Sequence, residues 1–394
     1  MKKILSLLSL LLLLNYPVVL SQSSADTIVY LLTCGAGTET YSIYGHSALR
    51  VVIPEKKIDT VYNWGVFDFS TPNFAWKFAK GRLDYMVRGE SLQSFLRTYF
   101  YEQRYVLSQK INLDSNETGK LLSLINENLK PENVKYRYDF FYDDCSTRIR
   151  DLLEKSIGEK LLYPPAETGK LPTFREMVGK YQDPFPWYKF GVDLIMGSPG
   201  EKKASFRDRM FLPIDMKEGL SEAVISRNGK MTPMLGNPEV ILDFEPPVVK
   251  QNFFISPVFV FTLLLIIVII FSSMLKSRKA NNLIDIFLFS VFSVLAIMMV
   301  FFNFFTDHQQ MRWNLNIIWL NPFILACLFA LILNRAGSGW FRIVFFISLA
   351  FLVLQLVLPQ AFNFAIFPLV LILLVRSSLR AGFKWNPISK KQYS

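Results

Sequence analysis

Five apolar spans crowd the last third of this 394-residue chain, at about 253–275, 283–305, 317–333, 340–358 and 362–375. Each is long enough to cross a hydrocarbon core, the last only marginally and with Pro368 inside it. A chain that must house such spans is a membrane protein, and its 51% hydrophobic and 15% aromatic residues follow from them. Residues from about 25 to 250 read instead as an ordinary globular sequence, so the chain has at least two parts.

The charges orient the spans. A net charge of +11 could suggest nucleic acid, but the basic residues cluster beside the apolar runs. Lys276, Arg278 and Lys279 follow the first span, Arg335 and Arg342 border the fourth, and Arg376, Arg380, Lys384, Lys390 and Lys391 close the chain. That is the pattern of cytoplasmic loops, and it places residues 306–316 and the turn at Pro359-Gln360 outside. No basic, aromatic-interleaved motif for nucleic acid is present. The N-terminus agrees: Lys2 and Lys3, an apolar run over 4–14 and Ser21 before Gln22 fit a signal peptide. An uncleaved anchor is the rival reading, and either one exports the domain after it. The expected organisation is a signal peptide at 1–21, an exported domain at 22–236, a linker at 237–252 holding Pro246-Pro247, a membrane domain at 253–376 and a basic cytoplasmic tail at 377–394.

Within the exported domain, strands are expected at 27–32, 47–53 and 61–69. In the second, Leu49, Val51 and Ile53 face one way and Ala48, Arg50 and Val52 the other. Helices are expected at 91–99 and 115–128. A clearer one starts after Asp144, with Ile149, Leu152, Leu153 and Ile157 on one stripe and Gly158 as its stop. Residues 161–234 read as a loop-and-helix extension. The elements do not alternate as βαβ units, so the fold class is α+β.

Chemistry is limited by scarcity. The histidines are His46 and His308, and the cysteines are Cys34, Cys145 and Cys327. No cluster has metal-ligand spacing, and no nucleophile elbow, Walker loop or dinucleotide fingerprint is present. Cys145 falls at a helix start capped by Asp144, where the helix dipole favours a thiolate. Asp143 and Asp144 oppose that by repulsion, and His46, at a strand edge after Gly45, could supply the missing cation. Nucleophilic thiol catalysis needs such a pair. Two cysteines in one exported domain equally suit a Cys34–Cys145 disulfide, and spacing alone leaves both readings open. Cys327 lies in an apolar span and reads as a small hydrophobe. Trp313, Trp319 and Trp340 read as interfacial anchors.

Ordered blocks narrow the choice. Leu31-Leu32-Thr33-Cys34-Gly35-Ala36-Gly37 and Tyr44-Gly45-His46-Ser47-Ala48 open a series continued by Asn63-Trp64-Gly65-Val66-Phe67-Asp68-Phe69. Asp144-Cys145-Ser146-Thr147-Arg148, Gly191-Val192-Asp193 and Met210-Phe211-Leu212-Pro213 complete it. The series resembles the Lnb-type N-terminal periplasmic domain family over about 27–215, and Trp313-Asn314-Leu315-Asn316 resembles the membrane part of its long members. The resemblance implies a circularly permuted papain-like (NlpC-type) exported domain followed by a polytopic domain of about five helices. It also implies a lipoprotein N-acyltransferase in the bacterial inner membrane, without a cofactor. Cys145 would take an acyl chain from a membrane phospholipid as a thioester and pass it to the N-terminal amine of a diacylglyceryl-lipoprotein. His46 would be the base, Asn63 or Asp68 its orienting partner, and the backbone N–H groups at the helix start the oxyanion donors. Arg148, His308 and Arg312 would be candidates for headgroup contacts. The rivals are a membrane-tethered NlpC-type murein peptidase or amidase, a phospholipase, and a non-catalytic envelope scaffold held by the Cys34–Cys145 disulfide.

Overall fold

The computed structural model describes residues 27–165, 169–275, 277–334 and 338–383. The expected signal peptide, Lys276, Arg335 and residues 384–394 lie outside the described residues. Among the described residues, ten strands follow one another as β1 (Ile28–Cys34), β2 (His46–Ile53), β3 (Ile58–Val66), β4 (Asp84–Ser91), β5 (Val106–Lys110), β6 (Lys135–Arg137), β7 (Leu161–Leu162), β8 (Val224–Arg227), β9 (Lys230–Pro233) and β10 (Glu239–Leu242). Seven form an antiparallel sheet in the order β10-β5-β1-β2-β3-β4-β6, and β7-β8-β9 form a small second sheet. Part of the expected linker therefore belongs to the exported fold: Glu239–Leu242 pairs with β5 as an edge strand.

Strand alternation sets two faces, as period-2 patterning requires. Leu31, Leu49, Val51 and Trp64 face the helix Cys145–Ile157, whose Ile149, Leu152, Leu153 and Ile157 complete the same core. Each such side chain contributes about 2 kcal/mol on burial. Leu32, Cys34, Ala48 and Val61 face the other way, onto Phe95 and Tyr99 of the helix Leu92–Tyr101. Gly158 ends the Cys145 helix by taking a φ of +70, which a residue without a Cβ adopts at little cost.

Five helices occupy the C-terminal part among the described residues: Pro257–Met274, Arg278–Phe304, Phe323–Ile332, Ser338–Leu354 and Ile366–Ala381. The first two are each long and apolar enough to cross a membrane. The third is shorter than its apolar run. A 3₁₀ turn at Leu315–Ile317 precedes it, and the α-helix starts only after Asn321-Pro322. Proline lacks an N–H and restricts the residue before it, which delays the helix. Trp319, expected as an interfacial anchor, is instead fully buried in this bundle and donates from Nε1 to Asn316 Oδ1 at 2.9 Å. Trp313 and Trp340 are exposed.

Arg376 and Arg380 are not free loop charges. Both donate to Asp285, which is fully buried on the second of these helices, and Arg376 also donates to Ser272 Oγ at 2.7 Å. Asp285→Ala would strand a buried guanidinium, and breaking such a pair costs about 3–5 kcal/mol. A large fall in the melting temperature of the detergent-solubilised variant is the expected result, and an unchanged melt would refute the cluster's structural role.

The extension locks the two parts together. Its helix Pro186–Ile195 packs Phe190 and Leu194 into the membrane core, and Phe190 meets Phe261 at 5.2 Å. Arg175, buried in the neighbouring helix Phe174–Gln182, donates to Glu201 at 2.6 Å and to Asp193 at 3.2 Å. Those carboxylates accept from Ala361 N and Asn363 Nδ2 of an outer loop. The Gly197 N–H donates to Gln310 O at 2.8 Å, and a Cβ at 197 would collide with Arg312 O.

Candidate active site

Asp144 builds the first turn of the Cys145 helix. Its carboxylate accepts the N–H groups of Ser146 and Thr147 at 2.9 and 2.8 Å, while Thr147 Oγ1 accepts the Asp144 N–H at 2.7 Å. This reciprocal cap starts the helix at the thiol. It also occupies two of the helix-start amides that were candidates for holding an oxyanion.

The thiol enters a fork in the sheet. The β2–β3 ladder runs from Ile53 and Ile58 to Leu49 and Tyr62 and stops there. Beyond it, β3 bulges against β4 between Trp64 and Val66, with Gly65 at φ +89. A Cβ on Gly65 would lie 3.9 Å from the Cys145 Cβ, and the Ser47 N–H, released from the ladder, favours the thiolate form of Cys145. The Ser146 hydroxyl lies 3.8 Å from that sulfur.

His46 and Asn63 bridge the same two strands: His46 Nε2 lies 2.6 Å from Asn63 Oδ1. Because Oδ1 only accepts, Nε2 carries the proton and Nδ1 keeps the lone pair of the neutral ring. Asp68, the other candidate partner, stands apart. It is exposed, and its carboxylate accepts from Ser70 N and Oγ at 2.8 and 2.7 Å, closing its own turn.

Burial shapes the electrostatics. It pushes the Cys145 thiol up, against the opposing pull of the Ser47, Ser146 and Cys145 N–H groups and the Ser146 hydroxyl. Burial, with help from Arg104, lowers His46 to about 4, while the Asn63 bond and Asp144 work the other way. At rest the thiol and the imidazole are thus both neutral, and His46 is not an imidazolium supplying a cation. The cation near the aspartates is Arg148. It holds Asp143 through two bonds of 2.6 and 2.9 Å and lies 3.5 Å from the centre of the Tyr136 ring. Asp144 itself is pushed well up by burial.

Two further residues support this corner. Cys34 is the cross-strand neighbour of His46, and burial pushes its thiol up to about 12 against a bond from Tyr99. Arg104, 5% exposed, donates to Gly35 O at 2.7 Å and to Glu102 at 2.7 Å. Sequence reasoning missed Arg104, because nothing in its local pattern ties it to a strand so distant in the chain. All three cysteines are free thiols, with Cys34 and Cys145 packed into the clusters on opposite faces of the sheet. The disulfide of the scaffold reading is not formed here.

His308 and Arg312 lie in the loop that docks the two parts. His308 Nε2 donates to Phe78 O at 2.7 Å, and Arg312 is exposed. Neither reaches the fork. Among the described residues no His, Cys, Asp and Glu group could hold a metal ion.

The family model of the Lnb N-terminal periplasmic domain matches residues 15–177, and that of the Lnb transmembrane domain matches residues 249–384. The chain belongs to the Lnb family. It is therefore a membrane protein with a periplasmic part, and its class of lipoprotein-processing membrane proteins follows from the family. Residues 46, 63, 68, 145 and 148 fall in the first Lnb match, and 308 and 312 in the second. The blocks at 191–197 and 210–213 lie between the two. No curated protein and no solved structure matched the chain.

Proposed function

We propose that this Lnb-family protein is a cysteine-dependent lipoprotein N-acyltransferase of the bacterial inner membrane. Its periplasmic domain has a circularly permuted papain-like order, the His46 strand preceding the Cys145 helix, and all five C-terminal helices belong to the membrane. The observation that carries the reading is the 2.6 Å bond from His46 to Asn63, across the fork that receives the Cys145 sulfur. A base with one nitrogen fixed by Asn63 and a thiol at a helix start are the two groups that nucleophilic thiol catalysis requires.

In the proposed cycle the Cys145 sulfur attacks the acyl carbonyl of a phospholipid while His46 Nδ1 takes the thiol proton. The tetrahedral intermediate collapses, the acyl C–O bond breaks, and the departing lysophospholipid oxygen takes the proton from His46. The acyl group is left on sulfur. The α-amine of a diacylglyceryl-lipoprotein then attacks the thioester, the C–S bond breaks, an amide forms, and the amine proton returns to the thiolate through His46. The Cys145 and Ser47 N–H groups are the donors at the sulfur that can face an oxyanion.

Expression in a strain lacking lipoprotein N-acyltransferase, with mass spectrometry of lipoprotein N-termini, tests this. One added N-linked acyl chain is expected. Lysophospholipid and free fatty acid without acylated lipoprotein would mean a phospholipase, and cleaved murein peptides would mean the NlpC-type reading.

Asn63 and Asp68 are separable by rate. Asn63→Ala is expected to slow acyl-enzyme formation about 100-fold, part of what a positioned base supplies. Asp68→Ala, which opens only a surface turn, should stay within about threefold. Equal effects on single-turnover thioester formation would remove Asn63 from its orienting role.

A further inference from the structure

Between Asn63 on β3 and the start of β4 the chain leaves the sheet through residues 67–81, and this segment has the wrong surface for water. Its helix, Phe74–Lys80, buries none of its residues. Trp76 is 60% exposed, Phe78 51% and Phe69 71%. Large exposed rings gathered on one short segment of a folded domain mark a site of association.

The neighbours say with what. Trp76 packs at 5.6 Å on Phe301, in the last turn of the membrane helix Arg278–Phe304, and Phe304 and Phe305 beside it are exposed. Three bonds hold the segment there: Thr306 Oγ1 to Ala79 O at 2.9 Å, Asp307 N to Lys80 O at 2.9 Å, and His308 Nε2 to Phe78 O at 2.7 Å. The rings therefore sit at the outer end of a helix that crosses the bilayer, where aromatic side chains concentrate. Lys77 and Lys80 occupy the last turn of the short helix, matched in charge to lipid phosphates. Inward, the rings continue: Phe74 to Phe67 at 5.9 Å, Phe67 to Tyr85 at 5.3 Å and Tyr85 to Tyr138 at 4.4 Å. Phe67, Phe74 and Tyr138 pack against the buried cluster that contains Cys145.

We propose that residues 67–81 form a lipid-docking flap that seats in the outer leaflet and leads a phospholipid acyl chain along its rings toward Cys145. The leading of the chain rests on the acyltransferase reading; the seating does not. His308 is then a positioning residue that fixes the flap by its backbone bond, not a headgroup ligand.

Full-length protein in phosphatidylcholine nanodiscs gives the test. The Trp76 emission is taken as the difference between wild type and Trp76→Phe, with and without lipids brominated near the top of the acyl chain. Quenching of that difference by about half or more is expected for a ring within the 5–10 Å boundary layer. No quenching at any bromine depth would put the flap in water or under another protein and overturn the proposal. The second arm compares Cys145 acylation from phospholipid vesicles with acylation from water-soluble p-nitrophenyl acetate. In a Trp76→Glu/Phe78→Glu variant the ratio of the two rates should fall about tenfold, the effect of losing the partial burial of large side chains. An unchanged ratio overturns the leading role. Quenching in a wild type that acylates from neither substrate would leave the flap standing and refute the acyltransferase reading instead.

Discussion

Cys145→Ala is expected to abolish N-acylation of lipoproteins and to remove the acyl adduct from the purified protein, a loss of at least about 1,000-fold. The sulfur is buried at the fork bridged by His46 and Asn63, where the Ser47 and Cys145 N–H groups favour its thiolate. Removing it leaves the base and the amides with nothing to activate. The fold should survive, because the helix start is held by Asp144 with Ser146 and Thr147, not by the thiol. Circular dichroism and a melting curve close to wild type would establish that. Cys327→Ala, in the membrane core, serves as the control and should keep the adduct. Intact-protein mass spectrometry after phospholipid exposure reads all three proteins. An adduct that persists in Cys145→Ala would show that another thiol carries the chain.

His46→Gln is expected to slow acyl-enzyme formation by about 100- to 10,000-fold, the range for loss of a positioned general base. Glutamine can still reach Asn63, so the strand bridge is disturbed less than the chemistry. The pH dependence is more telling. His46 is lowered to about 4, mainly by burial. The ring therefore stays in its basic form down to mildly acidic pH, and the acid limb of the rate profile should lie well below the ordinary histidine value of about 6.5. The alkaline side should show no plateau near neutrality, since burial pushes the thiol up. An acid limb at about 6.5 would sink this assignment.

Stability should follow the same group. Between pH 6.5 and about 4 the unfolded chain binds a proton at His46 that the folded chain refuses. The contribution is complete above the unfolded value and is lost as pH falls through that window. Its ceiling is about 3 kcal/mol, reduced by the solvent that reaches the ring. Wild type should therefore lose more melting temperature than His46→Gln between pH 7 and pH 4.5, and equal losses would contradict it.

Much of this was readable along the chain because it depends on neighbours in sequence. The Cys145 helix was legible from an Asp cap, an apolar stripe and a terminal glycine, all within one segment. The alternation of Leu49 and Val51 against Ala48 was legible because a strand repeats every two residues. The third apolar run misled for the opposite reason. Hydropathy counts residues, whereas Asn321-Pro322 decides where hydrogen bonding can begin, so the helix starts at Phe323. Arg376 and Arg380 read as loop charges because their partner, Asp285, lies on another helix.

By itself, the sequence determined that this chain divides into an exported α+β domain and an apolar helical part, and it singled out His46 and Cys145. Hydropathy, capping and residue scarcity are local or compositional, so no coordinates were needed for them. Only the tertiary structure decided that Asn63 and not Asp68 holds His46, that Arg148 and not His46 offsets Asp143, and that two of the helix-start amides, those of Ser146 and Thr147, are already occupied. Each depends on which long-range groups meet. Strand pairing and domain docking create those meetings, and no pattern along the chain encodes them.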